Sequence, residues 1–401
     1  MLYNNPKLQT EEPSMPPDSQ LLITLTRIAV TGKPEPVSLE VDWDAFLRLA
    51  REHKLAGLAY DGLKKSGAAL DPVPEKILVE LRNACMRAIA QSVQQDAMRC
   101  RLEAGLLQRN VDHIFLKGSV LKYDYPVSAL RTMSDMDILA KVDDYDALDE
   151  IMLELGGQHC DGDGNHRSFL LPGNLQIEFH PNLLHHDNPV GTEINPGWQY
   201  AKPSDTCAKQ LTEEGFYLHT ICHLAAHFTG GGCGIRLILD VWVFHHLRKA
   251  PLDREFVEKE FARFGMLDFA RNIEALAEHW FSCAEGSPLL DELGEYVITS
   301  GLYGTQARHM LNAVSLSENS SKSSALMGQI FRSRAEMEDR FPWVKGKPWL
   351  LPVAWCVRAF RVVTKRSDLL VHWVKGTTSV SDDEISQQKA LLDRFGIRRK
   401  K

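Results

Sequence analysis

Two aspartates separated by a single residue, Asp135 and Asp137, stand at the start of a short apolar run that is typical of a buried strand. Side chains two positions apart on a strand share a face, so both carboxylates would point the same way. At about 5 Å and an effective dielectric of about 20 they repel by roughly 3 kcal/mol. A proton, a basic side chain or a cation must offset this repulsion, and Mg²⁺ is the hard cation that binds both carboxylates and nucleotide phosphates. A solvated pair of acids at a strand end is the alternative.

Gly118 and Ser119 follow the apolar run 113–116 and predict a turn from a strand into a helix. Glycine lets a phosphate approach the backbone closely, and the first free N–H groups of a helix point at an anion. The hydroxyl of Ser119 would add one more donor. The same dipeptide is also common in turns that bind nothing, and this interpretation stays open.

Glu178 alternates with the apolar residues Ile177 and Phe179 in a further candidate strand, so it faces the opposite side from them. If that strand neighbours the one carrying the two aspartates, Glu178 becomes a third carboxylate of the same site. It would then ligate a metal and act as general base on an acceptor hydroxyl. Taken alone, it is better explained as a surface glutamate. The order in which the three features occur makes the pattern specific.

This combination resembles the nucleotidyltransferase superfamily that includes DNA polymerase beta, CCA-adding enzymes and aminoglycoside nucleotidyltransferases. Within it, the chain is most similar to the uncharacterised bacterial nucleotidyltransferase family, over residues 40–245. The gap of fifteen residues between Ser119 and Asp135 is longer than is usual in the wider superfamily, and the third acid is a glutamate where many members have aspartate. The similarity is carried by the segments DWDAFLRLAREHKLAGLAYDGL, LKGSVLKYDYP, Arg131-x-x-x-Asp135-x-Asp137 and GIRLILD.

The resemblance implies roles for these residues. Gly118 and Ser119 would hold the triphosphate of an NTP. Asp135 and Asp137 would hold two Mg²⁺ ions, and Glu178 would complete the triad. The expected enzyme moves an NMP to a small molecule, an RNA end or a protein hydroxyl and releases pyrophosphate. A catalytically inactive relative, serving as an interaction or NTP-binding module, is the alternative.

Basic residues near these acids are candidates for contacts with the nucleotide. Arg131 could bind the triphosphate bidentately, or it could pair with Asp135 or another acid. Lys117 could reach the phosphates or point into solvent. Arg236 and Asp240 lie one helical turn apart. The resemblance implies that their helix shapes the pocket for the acceptor or the base, and an intrahelical ion pair is the alternative.

Three histidines at four-residue spacing, His219, His223 and His227, predict one face of a helix. Two histidines one turn apart can bind zinc. This stripe spans about 12 Å, so a single ion could take at most two of the three. The glutamate of an H-E-x-x-H motif is also missing. A helix face packed against the sheet is therefore the favoured interpretation.

Positioning these residues calls for an α+β fold, in which a small mixed-sheet nucleotidyltransferase core is embedded between helical N- and C-terminal regions. Apolar periodicity changes from helical to alternating and back along the chain. Within the core, a helix predicted over 143–155 would be capped by Asp143 or Asp144. The predicted organisation is a disordered N-terminus at residues 1–20, a helical region at 21–110, the α/β core at 111–185, a helical substrate or lid region at 186–314, and a linker with a basic helical tail at 315–401.

Composition limits the classes of partner. The 401 residues carry a net charge of −7, which argues against a general nucleic-acid binder, and we expect no stable DNA binding. From Phe341 onward, 13 Lys and Arg stand against 5 Asp and Glu, so RNA or an anionic membrane surface stays open. The eight cysteines form no C-x-x-C pair, which favours a reducing cytoplasm. Uninterrupted apolar runs fall short of the roughly 18 residues of a transmembrane helix.

Overall fold

The computed structural model describes residues 15–398 apart from 142–144, 161–165, 187, 189, 303, 318–320, 324–326, 328–330 and 366–379. Pro17 occupies the first turn of the first helix, and the Asp42 carboxylate accepts from two N–H groups that open the second. The expectation of disorder is wrong for residues 17–20, because they form this first turn and Ser19 within it is buried. The N-terminal helices are α1 (Pro17–Thr31), α2 (Trp43–Glu52), α3 (Ala56–Lys65) and α4 (Glu75–Gln108).

A six-stranded mixed sheet follows, with strand order β3-β4-β5-β2-β1-β6. The pairs β2–β5 and β1–β6 are parallel, and the other neighbours are antiparallel. The chain is thus an α+β protein, as predicted. The strands are β1 (Asp112–Phe115), β2 (Asp135–Lys141), β3 (Gln158–Cys160), β4 (Arg167–Leu171), β5 (Leu175–His180) and β6 (Ala208–Lys209).

Two helices interrupt the strands. A single turn, α5 (Gly118–Leu121), follows β1, and α6 (Asp146–Glu154) connects β2 to β3. The helix predicted over 143–155 corresponds to α6, and the proposed cap at Asp143 or Asp144 lies outside the described residues. The strands β3 and β6 were not predicted, and β6 lies beyond the core expected at 111–185.

The sheet has two different faces because its strands alternate. Met136, Ile138 and Ile177 point to one face and form an apolar cluster with residues of α4 and α6. The opposite face carries Asp137 and Glu178 and turns toward the helices that follow. Period-two alternation therefore separates the core side of β2 and β5 from a polar side.

A helical body covers this polar face. Its apolar cluster joins α1–α3 to the later helices and includes residues as distant as Leu21 and Ile397. In the described part of the chain, no helix has the length and apolarity needed to cross a bilayer. The helices of this region are α7 (Glu213–Thr229), α8 (Ile235–His246), α9 (Arg254–Phe264), α10 (Leu267–Ser282), α11 (Pro288–Ile298) and α12 (Gln306–Ser315).

The region predicted as a linker and tail contains α13 (Arg334–Arg340), α14 (Leu351–Lys365) and α15 (Asp382–Arg394). A capping box begins α15, in which Ser381 and Glu384 bond each other's backbone N–H groups. Directly after α15, Phe395 and Ile397 are fully buried. The Phe395 ring packs 5.8 Å from those of Phe228 and Tyr296. This last segment is therefore part of the body's core and not a solvated tail.

Candidate active site

Three carboxylates meet where β2 and β5 run side by side. The parallel register places Asp137 opposite Glu178 and Asp135 opposite Gln176. One oxygen from each of Asp135, Asp137 and Glu178 lies within 4.8 Å of the other two. The strands β2 and β5 are thus neighbours, which is the condition under which Glu178 joins the two aspartates. Acids that are about forty residues apart in sequence lie close together in the structure.

Asp137 is the most enclosed of the three acids, at 3% exposure. Its Oδ1 accepts from Lys117 Nζ at 2.8 Å and contacts His180 Nε2 at 2.8 Å. Burial alone would raise the pKa of the Asp137 carboxyl, but Lys117 and His180 together lower it far below its usual range. Burial would lower the pKa of His180, but its contacts with Asp137 and Glu178 raise it overall. Asp137 is therefore a fixed negative charge held between two basic groups.

Asp135 has the opposite environment. Burial raises its pKa, and the negative charges of Asp137 and Glu178 raise it further. For Glu178, burial is outweighed by His180 and His166, and its pKa is lowered. The site thus contains one carboxylate whose charge is poorly compensated by the protein. A divalent cation bound by the three acids would compensate it, and an all-oxygen donor set is what Mg²⁺ prefers.

Lys117 reaches Asp137 from a strained backbone. Its φ of +50° and ψ of −128° lie in a region that residues with a Cβ rarely adopt. Such a conformation costs on the order of 1–3 kcal/mol and persists only where the surroundings enforce it. Here the Leu116 N–H donates to the Asp137 carbonyl, which extends the pairing of β1 with β2 up to the turn. The turn directs the ammonium group toward the acids.

Gly118 makes room for an arginine. A Cβ at this position would lie 2.5 Å from Arg131 Nη1, so a larger residue would displace the guanidinium. The next residue, Ser119, is 2% exposed and its hydroxyl donates to the Leu116 carbonyl at 2.6 Å. The structure therefore brings Lys117 and Gly118 to the cavity beside the acids, whereas the Ser119 hydroxyl is used within the turn.

Arg131 forms a buried bidentate ion pair with Asp240 of α8. Its Nε and Nη2 donate to the two carboxylate oxygens at 3.0 and 2.5 Å. The Tyr125 hydroxyl donates to the same carboxylate at 2.6 Å. Of the two interpretations of Arg131, pairing with an acid is the observed one, but the partner is Asp240 and not Asp135. The planar edge of the guanidinium that would bind a phosphate bidentately is occupied.

Arg236 and Asp240 both contact the segment that leads into β2. Arg236 Nη1 donates to the Thr132 carbonyl at 2.8 Å, and Arg131 Nη1 donates to the same oxygen at 3.0 Å. The Gln95 amide of α4 donates to the Met133 carbonyl at 3.0 Å. Helices on two sides therefore fix the backbone that presents Asp135.

A cavity opens between the sheet and α7 and α8. The wall includes Asp135 and Asp137 but, among the described residues, not Glu178. Lys117 and Gly118 also belong to the wall. The side chains that α7 and α8 contribute to the wall are Phe216, Thr220, His223, Leu224, His227, Arg236, Leu237 and Asp240. Both residues suggested for an acceptor or base pocket, Arg236 and Asp240, thus border the carboxylates.

The histidine stripe of α7 faces this region. His223 and His227 lie in the cavity wall with their Nε2 atoms 3.2 Å apart. Burial, followed by the charge of Lys117, lowers the pKa of His227 to about 4 and that of His219 to about 3. Two groups of described residues could hold a metal ion, and neither includes an α7 histidine. His223 and His227 therefore supply neutral imidazoles to the cavity wall, and His219 is buried next to His223.

Sequence reasoning missed two histidines at the site. His180 lies two residues after Glu178 on β5 and shares its face. His166 immediately precedes β4, and its ring centroid lies 5.2 Å from that of His180. His180 could have been predicted from the sequence, because alternation along β5 puts positions 176, 178 and 180 on one side of the sheet. The pairing of Arg131 with Asp240 could not be predicted in this way, since the two residues are 109 positions apart.

Comparison with known proteins agrees with this geometry. The sequence model of a family described as uncharacterised nucleotidyltransferase matches residues 40–282. That range is more than half of the chain and contains all the site residues named above. No curated protein and no solved structure matches the chain. The convergent acids, the cavity beside them and the family match lead to one conclusion: the chain belongs to this family of uncharacterised nucleotidyltransferases.

Proposed function

We propose that this protein is a cytoplasmic, Mg²⁺-dependent enzyme that transfers an NMP from an NTP to an acceptor and releases pyrophosphate. The observation that supports the proposal is the convergence of three carboxylates within 4.8 Å beside a cavity. In the reaction, an acceptor oxygen bonds to the α-phosphorus as the bond from that phosphorus to the β-phosphate oxygen breaks. The acceptor proton passes to a carboxylate, for which Glu178 is our candidate.

The donor set fits the metal that the family implies. Asp135, Asp137 and Glu178 offer only carboxylate oxygens, and the charge of Asp135 is incompletely balanced by the protein. Asp135 and Asp137 would hold two Mg²⁺ ions, with Glu178 as the third ligand. Bound Mg²⁺ would neutralise charge that develops on the phosphate oxygens.

The phosphates are proposed to lie at the edge formed by Lys117 and Gly118. The Lys117 ammonium lies 2.8 Å from Asp137 and borders the cavity, so a short movement would bring it to a triphosphate. Arg236 borders the same space from α8. Arg131 supports the site indirectly in this proposal, because its guanidinium is bonded to Asp240. Ser119 would contribute through its place in the turn.

The acceptor is proposed to enter from the side of α7. Phe216, Thr220 and Leu224 form that wall, together with neutral His223 and His227. A wall of apolar and neutral polar groups suits the body of an organic acceptor better than a second polyanion. A small molecule, an RNA end and a protein hydroxyl all remain within the proposal.

Transfer of label tests the proposal directly. The protein is incubated with cell extract, Mg²⁺ and each α-radiolabelled NTP in turn, and labelled products are identified. We expect one acceptor class to be labelled by the wild type and not by the Asp135→Asn/Asp137→Asn variant. Glu150→Gln, which removes an exposed acid from α6, is the matched control. We expect it to label the acceptor to the same extent as the wild type. Labelling that persists in the double variant, or no NTP binding by calorimetry, would contradict the proposal.

A further inference from the structure

A second group of metal-binding side chains adjoins the three acids and uses nitrogen donors. One ligand atom from each of His166, Glu178 and His180 lies within 4.8 Å of the other two. The two groups have Glu178 in common. All three side chains are mostly buried, with exposures of 14–23%.

Strand pairing explains how the two histidines come together. The antiparallel register of β4 and β5 pairs Arg167 with Phe179, so His166 falls opposite His180, one step further along. Residues opposite each other on antiparallel strands present their side chains to the same face. His166, Glu178 and His180 therefore stand on one face, held by two strands.

The distances within the group fit a shared cation better than direct hydrogen bonds. His166 Nε2 lies 3.7 Å from Glu178 Oε1, and His180 Nε2 lies 3.4 Å from Glu178 Oε2. Hydrogen bonds between nitrogen and oxygen cluster at about 2.7–3.2 Å. Two ligands at about 2.1 Å from a tetrahedral ion are separated by about 3.4 Å. Each histidine nitrogen thus stands close to ligand spacing from a Glu178 oxygen, and the three ligand atoms lie within 4.8 Å of one another.

The hydroxyl of Ser168, which lies next to this group of residues, is buried without a hydrogen-bond partner in the described part of the chain. Ser168 lies directly opposite Glu178 in the β4–β5 register and is 3% exposed. Within the described part of the chain its Oγ makes no hydrogen bond. Buried hydroxyls are nearly always bonded, so an unbonded one beside Glu178 is consistent with a bound ion or its water.

We propose that His166, Glu178 and His180 form a binding site for a divalent transition-metal ion, separate from the Mg²⁺ site and joined to it through Glu178. Two imidazoles and a carboxylate favour ions such as Zn²⁺ over Mg²⁺, which prefers oxygen alone. The His180 contact with Asp137 at 2.8 Å would be replaced by the ion. An ion at this site ties β4 to β5 and fixes the Glu178 carboxylate beside the aspartates.

Co²⁺ titration of the full-length protein, followed by visible absorption, tests the proposal without any assay of transfer. Co²⁺ reports nitrogen ligands through its d–d bands. We expect a tight class of one Co²⁺ per chain, weakened at least about tenfold in His166→Gln and in His180→Gln. The tight class should persist in Asp135→Asn, and excess Mg²⁺ should not displace it. His159→Gln, which removes an exposed histidine from β3, is the matched control.

Circular dichroism and the thermal midpoint of each variant separate lost binding from lost folding. Should a glutamine variant unfold, the asparagine variant at the same position takes its place. Three results would overturn the proposal: no tight Co²⁺ class in the wild type, a tight class that survives both histidine substitutions, or its loss in folded Asp135→Asn. An absence of NMP transfer affects none of these readouts, so the two proposals fail separately.

Discussion

At the scale of single residues, the two aspartates of the pair are unlike each other in electrostatic environment. Asp137 is held by Lys117 and His180, and its pKa is lowered. Asp135 is buried beside two other acids, and its pKa is raised. The same chemical group therefore contributes to folding with opposite sign at positions two residues apart. In the proposed function, the stability lost at Asp135 is the cost of keeping a cation site ready.

Substituting each aspartate by asparagine should consequently change stability in opposite directions in metal-free protein. Asp137→Asn removes the charge that the partly exposed Lys117 bonds at 2.8 Å, and should lower the free energy of unfolding by about 1–3 kcal/mol. Asp135→Asn removes a poorly compensated charge and should raise the free energy of unfolding. Urea denaturation in the presence of EDTA measures both. Equal destabilisation by the two substitutions would show that the protein compensates the charges of Asp135 and Asp137 to the same degree, and would contradict this prediction.

At the scale of helices, His53 joins three of them after the last turn of α2. Its Nδ1 accepts the N–H of Ile235 at the start of α8, at 3.0 Å. Its Nε2 donates to the Ile298 carbonyl at the end of α11, also at 3.0 Å. The ring is fully buried, and burial lowers its pKa to about 4. The bond from the Ile235 N–H requires the neutral ring, because a protonated Nδ1 cannot accept.

This contact predicts a dependence of stability on pH. The folded state binds the His53 proton with a pKa of about 4, against an ordinary value of 6.5. The contribution is fully present above pH 6.5 and is lost as the pH falls toward 4, by about 1.4 kcal/mol per pH unit. Urea unfolding at several pH values should give a shallower decline for His53→Asn than for the wild type. The exposed His159→Asn serves as control, and identical slopes for His53→Asn and wild type would refute the role of His53.

The elements themselves were largely predictable, and their long-range partners were not. Alternation of Ile177, Glu178 and Phe179 predicted β5 and the direction of its acid. Pattern alone could not detect β6, since two residues have no measurable period. The ring of His53 bonds Ile235 and Ile298, which are 182 and 245 positions further along the chain. No pattern in the sequence near His53 indicates these partners. Local sequence sets periodicity and caps, whereas packing of distant segments decides which side chains meet.

At the scale of the whole molecule, the Arg131–Asp240 pair connects the sheet region to the helical body. Both side chains are nearly inaccessible, at 6% and 4% exposure. Tyr125 and Thr132 complete the hydrogen bonding around the guanidinium and the carboxylate. The pair lies beside the cavity, so it also fixes the distance between α8 and the aspartates.

Breaking this pair from one side should cost about 3–5 kcal/mol of unfolding free energy, because the remaining charge is buried. Arg131→Met and Asp240→Leu should each show this loss, and the double variant should lose less than the sum. Lys76→Met is the matched control, since its pair with Asp44 is exposed and is worth at most about 1 kcal/mol. Chemical denaturation of the wild type, the two single variants and the double variant measures the coupling. Strictly additive losses would mean that the two charges act independently.

The buried Phe395 and Ile397 bear on how the protein is made. The apolar cluster on the α4 side of the sheet uses residues between Leu102 and Phe179, all within one continuous stretch. The body's cluster combines Leu21 with Ile397. During translation the first cluster can assemble while the ribosome is still elongating, because chains fold as they emerge. The second cannot be completed until residue 397 has left the exit tunnel, because Phe395 packs against Phe228 and Tyr296 within it.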